Sequence, residues 1–415
     1  MKALKSIKNL KGKKVLVRVD FNIPLIHELN TKKKRIKHEY KVVDDTKIRR
    51  VLPTIKFLLK KKAKVILISH LGRPKGKRER KVSLKPVALK LEKLLGQKVK
   101  FLGDCIGEKI GKEIEEMKEG GVILLENLRF YKGEERNDLR FAKKLAGLAD
   151  LYINDAFAVS HRKHASVVGV TKYLPSYAGL LLEEEIKTLE EVLRAPKRPL
   201  VAIIGGAKIS TKIRVIQSLL KKVDVLLLGG ALINNFFKAQ GYEVGKSLVE
   251  EDQLKTARKL LKAKTKKIIL PVDAMIKLKI KNKKLKTQIK NVKTSDLNQL
   301  TTENFTILDI GRETIQLFLD YIRKAKTIIW NGPMGLFEER GFAQGTNEIA
   351  KAVIKSKAQS IIGGGETIAS LKIKNKKLKI KKNVFVSTGG GAMLEFLEGK
   401  KLPGIEALGG ERLRD

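Results

Sequence analysis

The sequence predicts an α/β protein of two doubly wound (Rossmann-like) parallel-sheet lobes joined by a hinge helix. Three observations predict it. Apolar, β-branched runs recur through the 415 residues, with segments of helical period between them. The runs are apolar throughout, as strands are when helices cover both faces of a parallel sheet. Midway, "GLLLEEEIKTLEEVLRAPKRP" reads as a charged amphipathic helix stopped by Pro196 and Pro199.

In the first half the strands are "KKVLVRVDF", "AKVILISH", "GVILLENLRF" and "ADLYINDAF". In the second they are "RPLVAIIGG", "VDVLLLGG", "KKIILPVD", "KTIIWNGP", "QSIIGGG" and "NVFVSTGGG". Helical spacing marks "IRRVLPTIKFLLKKK", "LKPVALKLEKLLG" and "FAKKLAGLA" between them. The helix at 181–196 then divides a first domain, 1–180, from a second, 197–395, both of ordinary size. The last stretch, "LPGIEALGGERLRD", is too short to fold alone. Two lysine-rich segments share LKIKNKKLK, at 278–286 and 371–379. Alternation of Lys with Leu or Ile predicts an exposed edge hairpin at each, guarded by charge and centred on an Asn-Lys turn.

The composition narrows the function. Lys and Arg number 89 against 44 Asp and Glu, a net charge of +45 that attracts polyanions. The lysines are spread along the whole chain and aromatics are only 5%, too few for base-stacking platforms, so no specific nucleic-acid partner is expected. No apolar run approaches the length of a membrane span, and the start "MKALKSIKNLKGKKVLVRVDF" has no apolar signal region. Cys105, the single cysteine, excludes an intrachain disulfide and a cysteine-rich metal site. A cytoplasmic protein is expected.

In open α/β sheets ligands bind beyond the carboxyl ends of the strands. In the first lobe those ends supply Asp20 and Asn22, then His70 and Arg73 of "SHLGR", Arg129 of "ENLRF", and His161, Arg162 and His164 of "VSHRKHAS". Guanidinium forks fit phosphate and carboxylate, and Asp20 is suited to accept from an alcohol. This is a site for a small, multiply anionic ligand bearing a hydroxyl. In the second lobe the strand ends are glycine-rich instead: "GGAKIS" at 205–210, "GG" at 229–230, "WNGPMGLFE" at 330–338, "GGGET" at 363–367 and "GGGAM" at 389–393. Repeated around one rim, they suggest a nucleotide whose phosphates approach bare backbone, with Lys208 as a cation.

Two other motifs fail. "GYEVGKS" has too few residues between its glycines for a P-loop and no strand before it, and no G-x-G-x-x-G follows a strand, against a nicotinamide dehydrogenase. A lobe for a phosphorylated acid and a lobe for a nucleotide point to phosphoryl transfer. A carboxylate acceptor needs no general base, being ionised at neutral pH, and the acyl phosphate it forms must be kept from water. Two lobes closing over the reaction are therefore expected.

The stretches "RVDFNIP", "SHLGRP", "LLENLRF", "NDAFAVSHRKHAS", "GGAKIS", "WNGPMGLFE", "GGGETIAS" and "VSTGGGAMLEFLEGKKLPGIEAL" resemble the phosphoglycerate kinase family, in family order over essentially the whole chain. The resemblance implies reversible phosphoryl transfer between 1,3-bisphosphoglycerate and ADP, giving 3-phosphoglycerate and ATP, in glycolysis and gluconeogenesis. It also implies Mg²⁺, a monomer, and a tail, 396–415, that returns to complete the first lobe. Asp20, Asn22, His70, Arg73, Arg129 and Arg162 resemble the 3-phosphoglycerate site. Gly206, Ala207, Lys208 and Lys212 resemble the nucleotide strand-to-helix turn, with Lys208 neutralising the moving phosphoryl group. Asn331, Pro333 and Glu338 resemble the adenosine contacts, and Gly364 and Gly365 the backbone donors of the transition state. Gly230, Gly363 and Thr367 join the nucleotide site through the same glycine-rich ends.

Three departures qualify the resemblance. Glu366 stands where the family has Asp reaching Mg²⁺, and is expected still to serve the metal. Thr211 stands where an Asp is common. Lys47, in "DDTKIRR", stands where an arginine clamps the transferring group, and lysine keeps the charge without the bidentate fork. Upstream, "LIHELNTKKKRIKHEYKVV" is about a dozen residues longer than usual, a size loops tolerate. Arg35 and Arg49 stand as alternatives to Lys47.

Overall fold

A computed structural model of the chain describes residues 1–30, 37–264, 266–279, 287–300, 304–374 and 381–409. The chain divides into two compact units, Met1–Lys187 with Lys401–Asp415, and Thr188–Lys400.

Along the first unit run β1 (Lys14–Val19), β2 (Leu25–Asn30), β3 (Lys37–Val42), α1 (Thr46–Lys60), β4 (Lys64–Ile68), α2 (Lys85–Leu95), β5 (Lys100–Leu102), α3 (Glu108–Glu115), β6 (Val122–Leu125), α4 (Lys132–Glu135), α5 (Leu139–Ala146), β7 (Leu151–Asp155) and β8 (Ser176–Ala178). A helix, α6 (Leu180–Arg194), contains the division between the units. The second unit continues with β9 (Leu200–Ile204), α7 (Ile213–Leu220), β10 (Val225–Leu228), α8 (Ile233–Ala239), α9 (Leu254–Lys264), β11 (Ile268–Ile269), β12 (Asp273–Lys279), β13 (Thr287–Lys293) and β14 (Phe305–Ile310). It ends with α10 (Arg312–Lys324), β15 (Thr327–Asn331), α11 (Gln344–Lys355), β16 (Gln359–Gly363), α12 (Gly365–Lys374), β17 (Val384–Val386) and α13 (Gly390–Leu397), and α14 (Pro403–Glu406) returns to the first unit.

Each unit holds a parallel sheet of six strands, in the orders β5-β6-β4-β1-β7-β8 and β11-β10-β9-β15-β16-β17. The apolar runs form them because both faces are buried: Val15, Val17 and Val19 of β1 join Val65 and Leu67 of β4 in one core with Ile55 and Leu58 of α1 and Leu91 of α2. In the second unit Ile203, Leu227, Trp330 and Ile362 share a core with Phe318 and Ile322 of α10 and Ile349 and Val353 of α11. Helix ends follow local chemistry. Gly96, at φ +71°, closes α2 by donating its N–H to Glu92 O at 3.0 Å. Asp138 opens α5 by accepting from Arg140 and Phe141 N–H at 2.8 and 3.0 Å. Buried Asp155 opens α6, its Oδ1 accepting from Leu181 and Leu182 N–H at 2.9 and 3.1 Å. Burial nevertheless pushes this carboxyl up to about 6.

The two LKIKNKKLK segments fold differently. In the first, Leu278 and Lys279 end β12, which pairs antiparallel with β13 from Asp273↔Lys293 to Lys279↔Thr287. That is the expected hairpin, with its turn, 280–286, outside the described residues. β13 lies at the edge of the β13-β12-β14 sheet and is exposed along nearly its whole length. The second hairpin is not formed where it was expected to begin: Leu371–Lys374 complete α12, and 375–379 lie outside the described residues. The physical reason is context. Leu371 extends a helix already begun at Gly365 and is buried in the core of the second unit, and Leu and Lys favour a helix as readily as an edge strand tolerates them.

The long insertion forms the β2–β3 ribbon, paired from Leu25↔Val42 to Asn30↔Lys37. Its tip, 31–36, lies outside the described residues, and Arg35 with it. Among the described residues no helix is long and apolar enough to cross a membrane.

Candidate active site

In the first unit the ends of β1 and β4 and the start of α1 bring Asp20, Asn22, Lys47 and His70 together. Lys47 Nζ donates to Asp20 Oδ2 at 2.6 Å, and Asn22 N–H donates to Asp20 Oδ1 at 3.1 Å. Asn22 Oδ1 accepts from Gly72 N–H at 2.9 Å, linking the loop after β1 to the one that carries Arg73. Arg129, after β6, donates from Nη1 to Gly72 O at 2.6 Å, and its Nε lies 3.3 Å from Glu135 Oε1. Its side chain is 2% exposed, yet Nη2 has no hydrogen-bond partner among the described residues. Burial brings this guanidinium down to about 10. Arg73 is exposed, and half-buried Arg162 donates from Nε to His161 Nε2 at 3.3 Å. Arg49 is turned away to Asp45, with Nε 2.9 Å from Oδ1.

A fully buried polar chain supports His70. Glu134 accepts from Ser166 N–H and Oγ at 2.9 and 2.6 Å. Arg18 donates from Nε to Ser166 Oγ at 2.9 Å, from Nη1 to Val19 O, and from Nη2 to His70 Nδ1 at 3.0 Å. Burial, then the positive charges of Arg18, Arg129, Lys47 and Arg162, hold His70 well below its ordinary range. The ring is therefore neutral. Because a guanidinium only donates, Nδ1 accepts and Nε2 carries the proton, leaving an N–H to offer a ligand. His164, 3.8 Å from Glu134 Oε1, is pulled down to about 3, first by burial. Arg18, Ser166 and Glu134 escaped the sequence reading. The available signal was a lone arginine inside the apolar run "VLVRVDF".

In the second unit strand order reverses between β9 and β15, the place where doubly wound sheets open a ligand crevice. Gly205 N–H donates to Asn331 O at 2.9 Å, Gly206 N–H to Pro333 O at 3.0 Å, and Gly230 N–H to Met334 O at 2.8 Å. Gly230 has φ +70°, and a Cβ there would lie 2.7 Å from Gly206 O and 2.8 Å from Pro333 O, so no side chain fits. Lys212 donates to Asn331 Oδ1, which fixes the amide. Asn331 is 1% exposed, yet its Nδ2 has no partner among the described residues. A Cβ on Gly364, at φ +104°, would lie 3.2 Å from that nitrogen, so the open donor stands beside the glycine turn that begins α12. Buried Thr367 accepts from Gly332 N–H at 2.7 Å and staples this turn to the loop after β15.

Burial pulls the Lys212 ammonium down to about 8 against the opposing pull of Glu366. Gly206, Lys212, Gly230, Asn331, Pro333, Gly363, Gly364 and Thr367 thus line one turn region, whereas Ala207, Lys208, Glu338, Gly365 and Glu366 are exposed. Thr211 donates from Oγ1 to Lys208 O at 2.9 Å. The donor set suits one metal chemistry. Among the described residues no three His, Cys, Asp or Glu side chains form a metal cage. A single carboxylate, Glu366, at the glycine turn that begins α12 fits Mg²⁺, which binds through one or two carboxylates plus phosphate oxygens and water.

The family model described as phosphoglycerate kinase matches residues 4–400. The chain is 51% identical over 404 residues, 96% of either chain, to the phosphoglycerate kinase of Dictyoglomus turgidum. It is 49% identical over 406 residues, 97% of either chain, to that of Geobacter metallireducens. Among solved structures it is similar to phosphoglycerate kinase from Coxiella burnetii (TM-score 0.78, 40% identity, 98% of either chain). It is also similar to that from Pyrococcus horikoshii OT3 (TM-score 0.81, 32% identity, 99% of this chain and 98% of that one). With the motifs, the two parallel sheets and near-complete coverage in accord, the chain belongs to the phosphoglycerate kinase family.

Proposed function

We propose that the chain transfers a phosphoryl group reversibly between 1,3-bisphosphoglycerate and ADP, giving 3-phosphoglycerate and ATP, with Mg²⁺, as a cytoplasmic monomer in glycolysis and gluconeogenesis. In this reading the Met1–Lys187 unit binds the acid and the Thr188–Lys400 unit binds the nucleotide. The observation that carries it is that Arg129 Nη2 and Asn331 Nδ2, one in each unit, are buried donors without a hydrogen-bond partner among the described residues. A buried donor without a partner costs about 1–3 kcal/mol, so two of them at predicted ligand positions are best explained by ligands that complete them.

The roles follow from the chemistry. Arg129, Arg162 and Arg73 bind phosphate and carboxylate, His70 Nε2–H and Asn22 orient the acid, and Asp20 accepts from its hydroxyl. The acid's ionised carboxylate attacks the γ-phosphorus without a general base. Lys47, Lys208 and Lys212 offset charge on the transferring group, and the N–H groups of Gly364 and Gly365 at the start of α12 donate to its oxygens. Glu366 holds the metal, which supplies neutralisation of the phosphate charge when bound. The test is ATP-dependent phosphorylation of 3-phosphoglycerate by the purified protein, with Mg²⁺ titrated and EDTA as control. Metal-dependent turnover is expected. A folded protein that binds ATP and leaves 3-phosphoglycerate untouched would mean a different acceptor.

Lys212 adds a pH signature. Its pKa of about 8 in the free protein should rise when polyphosphate arrives, because an adjacent anion favours the ammonium. Binding then takes up a proton above pH 8, roughly three-quarters of one at pH 8.5 from the ordinary titration curve. ATP affinity is flat below pH 8 and falls as pH rises through it. Calorimetry in two buffers of different ionisation enthalpy reads the uptake directly, and Lys212→Met should abolish it. Identical heats in both buffers for the parent protein would refute this role.

A further inference from the structure

The second unit has a concave site at the opposite ends of its strands. It is a cavity of about 710 Å³ lined by residues just before β9, β15 and β17, by the first residue of β16, and by the last turns of α10 and α11. The five residues of β15 separate it from the glycine turns by roughly 15 Å, at about 3.3 Å per residue. Its apolar lining is Leu319, Ile322, Ala325 and Ala352. Lys197, Arg323, Lys326, Lys355 and Lys357 also line it, and among the described residues no Asp or Glu does.

Two ordinary explanations account for part of this charge. Arg323 is ion-paired with Asp320 on its own helix. The carbonyl ends of α10 and α11 also attract cations, but each macrodipole is worth only about half a charge. Together those ends offset about one of the four remaining lysines. Lys197, Lys326, Lys355 and Lys357 have no carboxylate partner among the described residues. A sixth cation, Lys381, donates to Lys355 O at 2.8 Å beside them. Lysines spread over a convex surface repel one another through water at little cost. Gathered around an apolar hollow, they make a site that neither water nor a simple ion fills well, because the apolar lining wants a hydrocarbon and the lysines want an anion.

We infer that this cavity binds an organic anion with an apolar body, of the size of an aryl or medium-chain acyl carboxylate, phosphate or sulfonate. The volume lies within the range of small-molecule pockets, and an apolar lining plus a few convergent polar groups is their usual build. The body rests on Leu319, Ile322 and Ala352, and the head lies among Lys326, Lys355 and Lys357. No residue of the candidate active site takes part, so the site is independent of the nucleotide.

The probe is 1-anilino-8-naphthalenesulfonate, titrated by fluorescence into the full chain with saturating Mg-ATP present to occupy the nucleotide turn. Saturable binding of one probe per chain is expected to persist in ATP. Ala352→Phe, which adds bulk to the apolar lining, and the double reversal Lys326→Glu/Lys357→Glu should each weaken it at least tenfold. Neutral N-phenyl-1-naphthylamine should lose affinity in Ala352→Phe only. Retained kinase turnover and an unchanged thermal midpoint show that each variant is folded, and should Ala352→Phe fail to fold, the exposed lysine pair alone decides. Complete displacement of the probe by ATP, or equal affinity in the lysine reversal, would overturn the assignment.

Discussion

Lys47→Ala is expected to lower turnover about a thousandfold, the scale of removing a cationic clamp from a transferring phosphoryl group, while Arg49→Ala changes it less than twofold. The geometry separates the two. Lys47 Nζ is held at Asp20 Oδ2, 2.6 Å away, beside Asn22 and His70, whereas Arg49 is exposed and closed onto Asp45, the residue just before α1. Kinetic form matters as much as size. A clamp that acts on the moving group lowers kcat, whereas a charge that only attracts the acid raises KM. Lys47→Arg restores the fork the family resemblance implies, and is expected to match or exceed the parent. Arg35→Ala completes the series. Equal and mild losses from Lys47, Arg35 and Arg49 variants in steady-state assays would remove Lys47 from the mechanism.

The second large effect is expected at Arg129. Arg129→Met should raise the KM for 3-phosphoglycerate at least a hundredfold, as loss of a buried, charge-assisted contact does, and leave ATP affinity measured by calorimetry unchanged. Stability should move the other way. The guanidinium is 2% exposed, its Nη2 has no hydrogen-bond partner among the described residues, and burial lowers its pKa to about 10. The fold therefore bears a penalty for holding the charge. Its folded pKa is depressed, so the penalty is present across neutral pH and is relieved only as pH rises above about 10. Removing it should stabilise the ligand-free protein, on the order of 1 kcal/mol after the lost bond to Gly72 O. A destabilised variant with an unchanged KM would make Arg129 a structural residue.

Much of the fold was legible because parallel strands announce themselves. "KVLVRV", "KVILI" and "TIIWN" are buried on both faces, so local composition and final environment agree. The lysine-rich nonamer shows where that agreement ends. The described residues of one copy, Leu278 and Lys279, end β12, and those of the other, Leu371–Lys374, end α12. Such a segment carries no apolar face wide enough to choose, and its neighbours choose for it.

The site divides along the same line. Motif residues at strand ends were legible because the carboxyl edge of a parallel sheet collects ligands regardless of detail. The ranking among them was not. The sequence names Lys208 as the cation of the expected nucleotide turn; the fold leaves Lys208 exposed and makes Lys212 the partly buried lysine bound to Asn331. The two stand four residues apart, and no pattern in "GGAKISTKI" says which one the turn folds inward.

By itself the sequence determined two parallel α/β units, membership of a phosphoryl-transfer family, and the strand ends where chemistry gathers. Periodicity and motif spacing are local properties that survive into the fold. Only the tertiary structure decided that Lys47 is tied to Asp20, that Arg18 and Glu134 form a buried chain behind His70, and that Arg129 Nη2 and Asn331 Nδ2 are buried without a partner among the described residues. Those facts depend on side chains far apart in sequence meeting where water is excluded. There partners, and not propensities, set each charge, tautomer and hydrogen bond.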